Sequence, residues 1–152
     1  ALWSFRTSPV PDFTYVFARK IDNRFQIFAA DNTGQTAQLT VEGNNWRPIS
    51  SPNREQIAFI SNVEADAQLY VMNRDGTGIR RVTTVPVAGL LSTDLSFCWS
   101  PDGTQLLYPS NDKLYAIRTD GTGLRVVYQA PLGRLLAGCD WTDQGNRIVM
   151  RT

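Results

Sequence analysis

The residues of this 152-residue chain that could carry out acid–base or nucleophilic chemistry are few, because the chain contains no histidine. Histidine is the usual general base near neutral pH and the commonest metal ligand, so a Ser-His-Asp or Cys-His site within this sequence is excluded. The acidic residues that stand out are Glu64, Asp66 and Asp94. Nothing in their spacing sets a separation between two carboxylates, and the pattern of a calcium-binding loop is missing. We therefore expect no enzyme activity, no cofactor and no metal site.

A second motif with catalytic associations is Asp-Gly-Thr-Gly at 75–78, which is also found in aspartic proteases. It recurs at 120–123 and, more loosely, as Asp-Asn-Thr-Gly at 31–34, with starting residues 44 and then 45 positions apart. This period is typical of a four-stranded propeller blade. Apolar, β-branched and aromatic residues flank each copy, and glycine supplies the positive φ of a tight hairpin. The recurrence favours hairpin turns over a protease site.

Another turn signal precedes each of these hairpins. Ser-Pro-Asp-Gly at 100–103 and Ser-Pro-Asn at 51–53 each lead into an apolar strand. Proline presets φ, and glycine accepts the left-handed position, so these segments predict tight turns. The residues to which we assign a structural role in the turns are Asp75, Gly76, Gly78, Pro101, Asp102, Gly103, Asp120, Gly121 and Gly123.

The combined unit begins with Trp-Ser-Pro-Asp-Gly at 99–103, continues with an apolar strand and Leu-Tyr at 114–115, and ends at the turn 120–123. It resembles the repeat of TolB-like, WD-repeat-like β-propellers, and related blades occur in the propeller domains of some serine peptidases. The resemblance is strongest over 95–128 and covers nearly the whole chain, although Ser50 stands where Trp99 stands in the later repeat. It implies a periplasmic or otherwise extracytoplasmic setting and protein–protein contacts.

The predicted fold is an all-β propeller of four-stranded antiparallel blades, with about three and a half blades in this chain. One domain spans 1–152, with repeats at approximately 1–41, 42–84, 85–129 and, in part, 130–152. The fourteen predicted strands lie near 2–5, 13–19, 24–30, 36–41, 45–49, 56–61, 67–73, 80–84, 95–99, 105–109, 113–118, 125–129, 137–141 and 147–151.

Three and a half blades do not close a ring, because closed propellers have roughly four to eight blades. The chain is then a fragment of a larger propeller, one half of a homodimer that completes a ring, or a small irregular ring. The chain begins at Ala1, which indicates a removed leader or a piece cut from a longer sequence. These alternatives stay open at the level of sequence.

Charge and hydropathy narrow the range of partners. The chain has 15 basic and 14 acidic residues, a formal net charge of +1, so neither nucleic acid nor an anionic membrane is expected as partner. No apolar run approaches the roughly 18 residues of a membrane helix, so we expect no membrane insertion. A protein partner is the remaining expectation.

Blade connectivity predicts that both kinds of tight turn lie at one end of the propeller and that the more variable loops lie at the other. Function tends to be found on such loops. They are residues 20–24, 62–66 and 110–112 within blades, and 42–44, 85–94 and 130–136 between blades. The candidate partner-binding residues are Trp46, Arg47, Glu64, Asp66, Leu90, Leu91, Asp94 and Arg134. The alternatives are that Trp46 packs in the core and that the two leucines fill a gap between blades.

The two cysteines are too few for a metal cluster. Cys98 directly precedes Trp99, whereas Cys139 lies two residues before Trp141. Because strand side chains alternate, the two cysteines are expected on different faces of adjacent inner strands, which argues against a disulfide.

Three functions follow as hypotheses. The first is a non-enzymatic, TolB-like protein-interaction module. The second is the propeller domain of a prolyl-oligopeptidase-type serine peptidase, gating a catalytic domain outside this sequence. The third is a sensory domain that binds a small ligand at the channel mouth.

Overall fold

The computed structural model describes residues 13–87, 96–142 and 147–151, and within these ranges it contains thirteen β-strands and no helix. The strands are β1 (Tyr15–Ile21), β2 (Arg24–Ala30), β3 (Thr36–Gln38), β4 (Asn45–Ser50), β5 (Gln56–Ser61), β6 (Gln68–Asn73), β7 (Arg80–Arg81), β8 (Cys98–Trp99), β9 (Gln105–Ser110), β10 (Lys113–Arg118), β11 (Arg125–Gln129), β12 (Gly138–Thr142) and β13 (Arg147–Arg151). They match the last thirteen predicted strands in order. The first predicted strand, near 2–5, lies outside the described residues.

Consecutive strands pair antiparallel and form four separate sheets. Their orders are β1-β2-β3, β4-β5-β6-β7, β8-β9-β10-β11 and β12-β13, which we call blades 1 to 4. Blades 2 and 3 have the predicted four strands. The all-β propeller architecture with four-stranded antiparallel blades is therefore confirmed.

The blades stack face to face, with one apolar cluster at each junction. In β5, Ile57 and Phe59 belong to the cluster between blades 1 and 2, while Ala58 and Ile60 belong to the cluster between blades 2 and 3. Successive side chains point to opposite faces of a strand. Both faces of blade 2 are thus buried, which explains why β5 and β6 are apolar almost throughout instead of alternating.

A cross-strand aromatic pair joins β1 to β2 in blade 1, β5 to β6 in blade 2 and β9 to β10 in blade 3. The rings are stacked with centroids 5.5 to 5.8 Å apart, within the range in which aromatic pairs attract each other. The pairs are Phe17 with Phe28, Phe59 with Tyr70, and Tyr108 with Tyr115. Large rings at this register fix the alignment of each central hairpin.

Two outer strands end earlier than predicted, because a threonine hydroxyl accepts the backbone N–H that a carbonyl of the outer strand would otherwise accept. β3 stops before Thr40, whose hydroxyl oxygen accepts the N–H of Ile27 at 2.9 Å. β7 stops before Thr83, whose hydroxyl accepts the N–H of Leu69 at the same distance. The predicted strands 36–41 and 80–84 are therefore too long, since a side-chain oxygen replaces the carbonyl of the ladder.

The connections fall at two opposite ends of the blades, as the connectivity predicts. The turns between first and second strands contact those between third and fourth: Arg74 N donates to Glu55 O at 2.9 Å. The loops within blades contact those between blades, for example where Leu136 N donates to Asn111 O at 2.8 Å. We call these the turn end and the loop end.

The expectation that opposite orientation holds the two thiols apart was wrong. Cys98 Sγ lies 2.9 Å from Cys139 Sγ, and both thiols are free. The alternation was inferred correctly, since Cys98 and Trp99 pack in different clusters. Cys98 points toward blade 4, however, and Cys139 points toward blade 3. Because the blades are stacked, these two faces are in contact at the junction between them. Opposite orientation therefore brings the two thiols together.

Candidate partner-binding site

A cleft of about 290 Å³ opens between blades 1 and 2. Its apolar wall includes Phe59 and Tyr70 of blade 2 and Leu39 of blade 1. Val41 and Val63 form its exposed rim near the loop end, with 77% and 43% of their surface accessible, and Ile79, 48% exposed, lines it on the side of the turn between β6 and β7. The cleft is at the lower limit of ligand pockets, and its size and lining suit an apolar side chain.

Tyr70 places a buried polar atom in this wall. The residue is only 5% exposed, and its hydroxyl makes no hydrogen bond of good geometry among the described residues, although the Glu64 carboxylate lies close enough to interact with it. Burial, and then the nearby Glu64 carboxylate, raise the pKa of Tyr70. The phenol therefore stays protonated at neutral pH and can donate a hydrogen bond. Glu64 itself forms an exposed ion pair with Arg81, close to the rim.

A buried polar network holds blade 1 against the start of blade 2 beside the cleft. Gln26 Oε1 accepts hydrogen bonds from the Thr40 hydroxyl at 2.7 Å and from Asn45 Nδ2 at 2.9 Å. In blade 2, Gln68 Oε1 likewise accepts the Thr83 hydroxyl at 2.6 Å, a bond within that blade. Because buried amides must be satisfied, these networks fix the loop end.

The predicted partner-binding residues are spread over several places. Glu64 and Asp66 lie exposed on the loop between β5 and β6, beside the cleft. Arg134 lies exposed in the connection between blades 3 and 4, in a turn closed by its N–H to Pro131 O at 3.0 Å. The structure therefore does not bring Arg134 and Glu64 to one cleft.

Trp46 is half-buried and packs against the cluster between blades 2 and 3, on the other face of blade 2 from the cleft. Arg47 follows it with φ +52, where β4 is irregular. In the same junction Trp99 Nε1 donates to Ile49 O at 3.0 Å and ties the two blades together. Leu90, Leu91 and Asp94 lie outside the described residues.

The predicted turn residues form the same local geometry at each copy. Asp75 Oδ1 accepts the Thr77 N–H at 2.9 Å and the Thr77 hydroxyl at 2.6 Å. Asp120 does the same with Thr122, at 2.8 and 2.7 Å. The threonine hydroxyls are the main reason that the pKa of each aspartate is lowered. The carboxylates of Asp75 and Asp120 thus stabilise the turns as hydrogen-bond acceptors.

The turn between the first two strands of blade 3 uses its aspartate in the same way. Asp102 Oδ1 accepts bonds from the Ser100 hydroxyl and from the N–H and hydroxyl of Thr104. These bonds lower the pKa of Asp102, with Ser100 as the largest cause. Gly103 has φ +71, the left-handed conformation expected for it after Pro101 and Asp102.

The described residues also bear on metal binding and on membrane insertion. Within residues 13–87, 96–142 and 147–151, no group of three or more His, Cys, Asp or Glu side chains is arranged to hold a metal ion. Among the same residues, no helix is long and apolar enough to cross a membrane.

Sequence reasoning missed the cleft itself. Val41, Val63 and Tyr70 were not among the candidates, since nothing local distinguishes them from other apolar residues of the repeat. The repeated pairing of a glutamine with a threonine about 14 residues later, Gln26 with Thr40 and Gln68 with Thr83, was visible in the sequence. It could have indicated where the polar networks of the loop end lie.

Comparison with known proteins gives one curated relative and several solved structures. No protein-family model matches the chain. The uncharacterized peptidase YuxL of Bacillus subtilis strain 168 is 43% identical over 82 residues, which are 53% of this chain and 12% of that protein. TolB from Acinetobacter baumannii aligns with a TM-score of 0.71 at 18% identity, covering 89% of this chain and 34% of that one.

A putative TolB from Agrobacterium tumefaciens aligns with a TM-score of 0.62 at 21% identity, covering 75% of this chain and 44% of that one. The chain has a β-propeller fold of the TolB kind. It spans less than half the length of each of these three relatives. The TolB-like fold accounts for the periodic turns, and the loop end is where this propeller differs from blade to blade.

Proposed function

We propose that this chain is a non-enzymatic protein-interaction module, which binds a protein partner at the loop end of a rigid propeller surface. The observation that carries the proposal is the cleft between blades 1 and 2. Its apolar wall, its exposed rim of Val41 and Val63, and the adjacent ion pair of Glu64 with Arg81 resemble an interface anchor with a polar border. The sequence contains no histidine for a catalytic triad.

The expected mode of binding follows from the lining. An apolar side chain of the partner enters the cleft against the rings of Phe59 and Tyr70. Its neighbouring polar group accepts a hydrogen bond from the Tyr70 hydroxyl, which is buried and makes no hydrogen bond of good geometry among the described residues. Satisfying such a group favours binding, because leaving a buried donor unpaired costs roughly 1–3 kcal/mol.

Photo-crosslinking in cells of the source organism tests this proposal. A photoreactive amino acid is placed at Val63 on the rim, or as a control at Leu124, an exposed apolar residue at the turn end. We expect one discrete protein adduct from position 63 and none from position 124. Adding Val41→Glu should remove the adduct, because a charge then borders the apolar entrance.

Equal crosslinking from both positions would show that the cleft has no special role. Failure of position 63 to give any discrete adduct, with the protein folded by circular dichroism, would also contradict the proposal. An adduct that survives Val41→Glu would show that the partner does not use the cleft.

A second candidate is favoured by the similarity to the YuxL peptidase. In this version the chain is part of a propeller that gates a serine peptidase domain encoded elsewhere in the same gene. The partner of the loop end would then be that catalytic domain. A fluorophosphonate probe should label the longer gene product but not this chain, whereas an unlabelled gene product would rule this version out.

Completion of the ring is part of the proposal. Blade 4 has two strands among the described residues, and Val149 on β13 is 58% exposed. We propose that it is covered by further blades of a longer polypeptide or by a second copy of the chain. Light scattering at micromolar concentration separates the two, because a monodisperse, folded monomer would contradict the two-copy ring. The extracytoplasmic setting implied by the TolB resemblance is also a proposal, tested by cell fractionation.

A further inference from the structure

We propose that Cys98 and Cys139 are a disulfide-forming pair that fastens β12 of blade 4 to β8 of blade 3. The two Sγ atoms lie 2.9 Å apart, and both cysteines are free thiols in this structure. A disulfide bond is about 2.05 Å long, so closing it requires each sulfur to move by well under 1 Å. The proposal is independent of the proposed partner binding.

The surroundings of the pair resist any other orientation of the thiols. Cys98 is buried in the cluster between blades 3 and 4, together with Leu107 and Leu114. Cys139 Sγ also contacts the carbonyl oxygen of Leu107 at 3.4 Å. Packing on both sides therefore keeps the two sulfurs facing each other across the junction.

The bond forms by exchange with a small disulfide such as oxidised glutathione. One protein thiol loses its proton and attacks a glutathione sulfur, which breaks that S–S bond, releases one glutathione thiol and leaves a mixed disulfide. The second protein thiolate then displaces the remaining glutathione. The protein loses two protons and two electrons, and glutathione disulfide is reduced to two thiols.

The pair has the character of a structural bond and not of a fast redox catalyst. The hydrogen bond with Cys98, followed by burial, raises the pKa of the Cys139 thiol. Since the thiolate is the reacting species, oxidation of the folded protein should be slow and should speed up when blade 4 opens. Cys98 is buried, whereas Cys139 is partly exposed and lines a cleft of about 190 Å³, so small thiols and disulfides reach the pair from the Cys139 side.

The disulfide would stabilise blade 4, for which the structure describes two strands, β12 and β13. The cysteines are 41 positions apart, so the crosslink closes a long loop of the unfolded chain. We expect the melting temperature to rise by roughly 5–15 °C on oxidation. The crosslink would keep β12 and β13 packed against blade 3 even before the next blade is assembled.

The test compares reduced chain with chain incubated in oxidised glutathione under native conditions. We expect intact mass to fall by two hydrogen atoms, both cysteines to become resistant to alkylation, and the melting temperature to rise reversibly with reductant. Two alkylatable thiols, or two glutathione adducts, in a protein with an unchanged circular dichroism spectrum would overturn the proposal.

Cys139→Ser and Cys98→Ser are the matched controls. Each should lose the oxidant-dependent rise in melting temperature, because the remaining thiol can form only a mixed disulfide. A rise of the same size in either variant would contradict the proposal. The measurement on the unsubstituted chain decides the question even where a variant does not fold.

Discussion

The turn end and the loop end of this propeller satisfy their polar groups in different ways. At the turn end, Asp75 and Asp120 bond to a threonine two residues later, so each motif closes on itself. At the loop end, Thr83 bonds to Gln68, which is 15 residues away on another strand. The first arrangement is local and exposed, whereas the second is non-local and buried.

This difference distinguishes the turns, which repeat from blade to blade, from the contacts at the loop end, which join distant strands. A self-contained turn can be copied from blade to blade without regard to its neighbours. The loop end depends on bonds between strands far apart in the sequence, such as those of Gln26 with Thr40 and Gln68 with Thr83. We infer that the turn end maintains the fold and that the loop end is available for recognition.

Removing the buried threonine should have the largest effect. Thr83→Val leaves Gln68 Oε1 and the Leu69 N–H unpaired in the interior. We expect the free energy of unfolding to fall by about 2–3 kcal/mol, since buried unsatisfied groups are costly. Urea denaturation measures this loss.

Thr122→Val is the matched substitution at the turn end. It removes the same kind of hydroxyl from an exposed site that water can reach, so the loss should stay below about 1 kcal/mol. Equal losses for the two variants would show that the two ends do not differ as described.

An intermediate effect is expected where a turn touches the preceding blade. Gly76 has φ +85, and a methyl group added there would lie 3.3 Å from Leu39 Cδ2. Gly76→Ala should destabilise the protein by about 1–2 kcal/mol, from the left-handed backbone and the tight contact together. Thermal unfolding checks this value.

Gly34→Ala provides the control for the backbone contribution. Gly34 has nearly the same φ, +86, but no atom of the residues that the structure describes lies within 4 Å of the added methyl. The loss for Gly34→Ala should be smaller than the loss for Gly76→Ala. A larger loss would mean that packing of turns on the preceding blade contributes nothing.

The smallest effect is the response of the turn end to acid. The pKa values of Asp31, Asp75, Asp102 and Asp120 are lowered by hydrogen bonds to the ionised form. A lowered folded-state pKa contributes stability above the unfolded value of about 3.9, and that stability is lost as the pH falls through the folded value. Stability should therefore decline below roughly pH 4.

Asp120→Asn tests that assignment, because an amide oxygen can accept the same bonds without titrating. Its urea midpoint should fall less steeply with acid than that of the unsubstituted chain. If the two acid profiles are parallel, the aspartate of this turn does not contribute to the decline.

The sequence was sufficient to predict the parts of the fold that depend on local signals. Turn positions such as Gly103 and Gly121, and the order of the strands, follow from residue type and period. The cleft, the glutamine–threonine networks and the facing thiols of Cys98 and Cys139 depend on which blade faces meet. Alternation along one strand cannot supply that information, which is why the sequence correctly placed the two cysteines on opposite faces but wrongly expected their thiols to lie apart.

Hydrogen–deuterium exchange of the chain, alone and bound to the partner recovered by crosslinking, tests most directly whether recognition is confined to the loop end. We predict slower exchange of amides in residues 40–44 and 62–66 on binding, with no change in the turns at 75–78 and 120–123. Protection of those turns, with unchanged exchange around the cleft, would contradict the account.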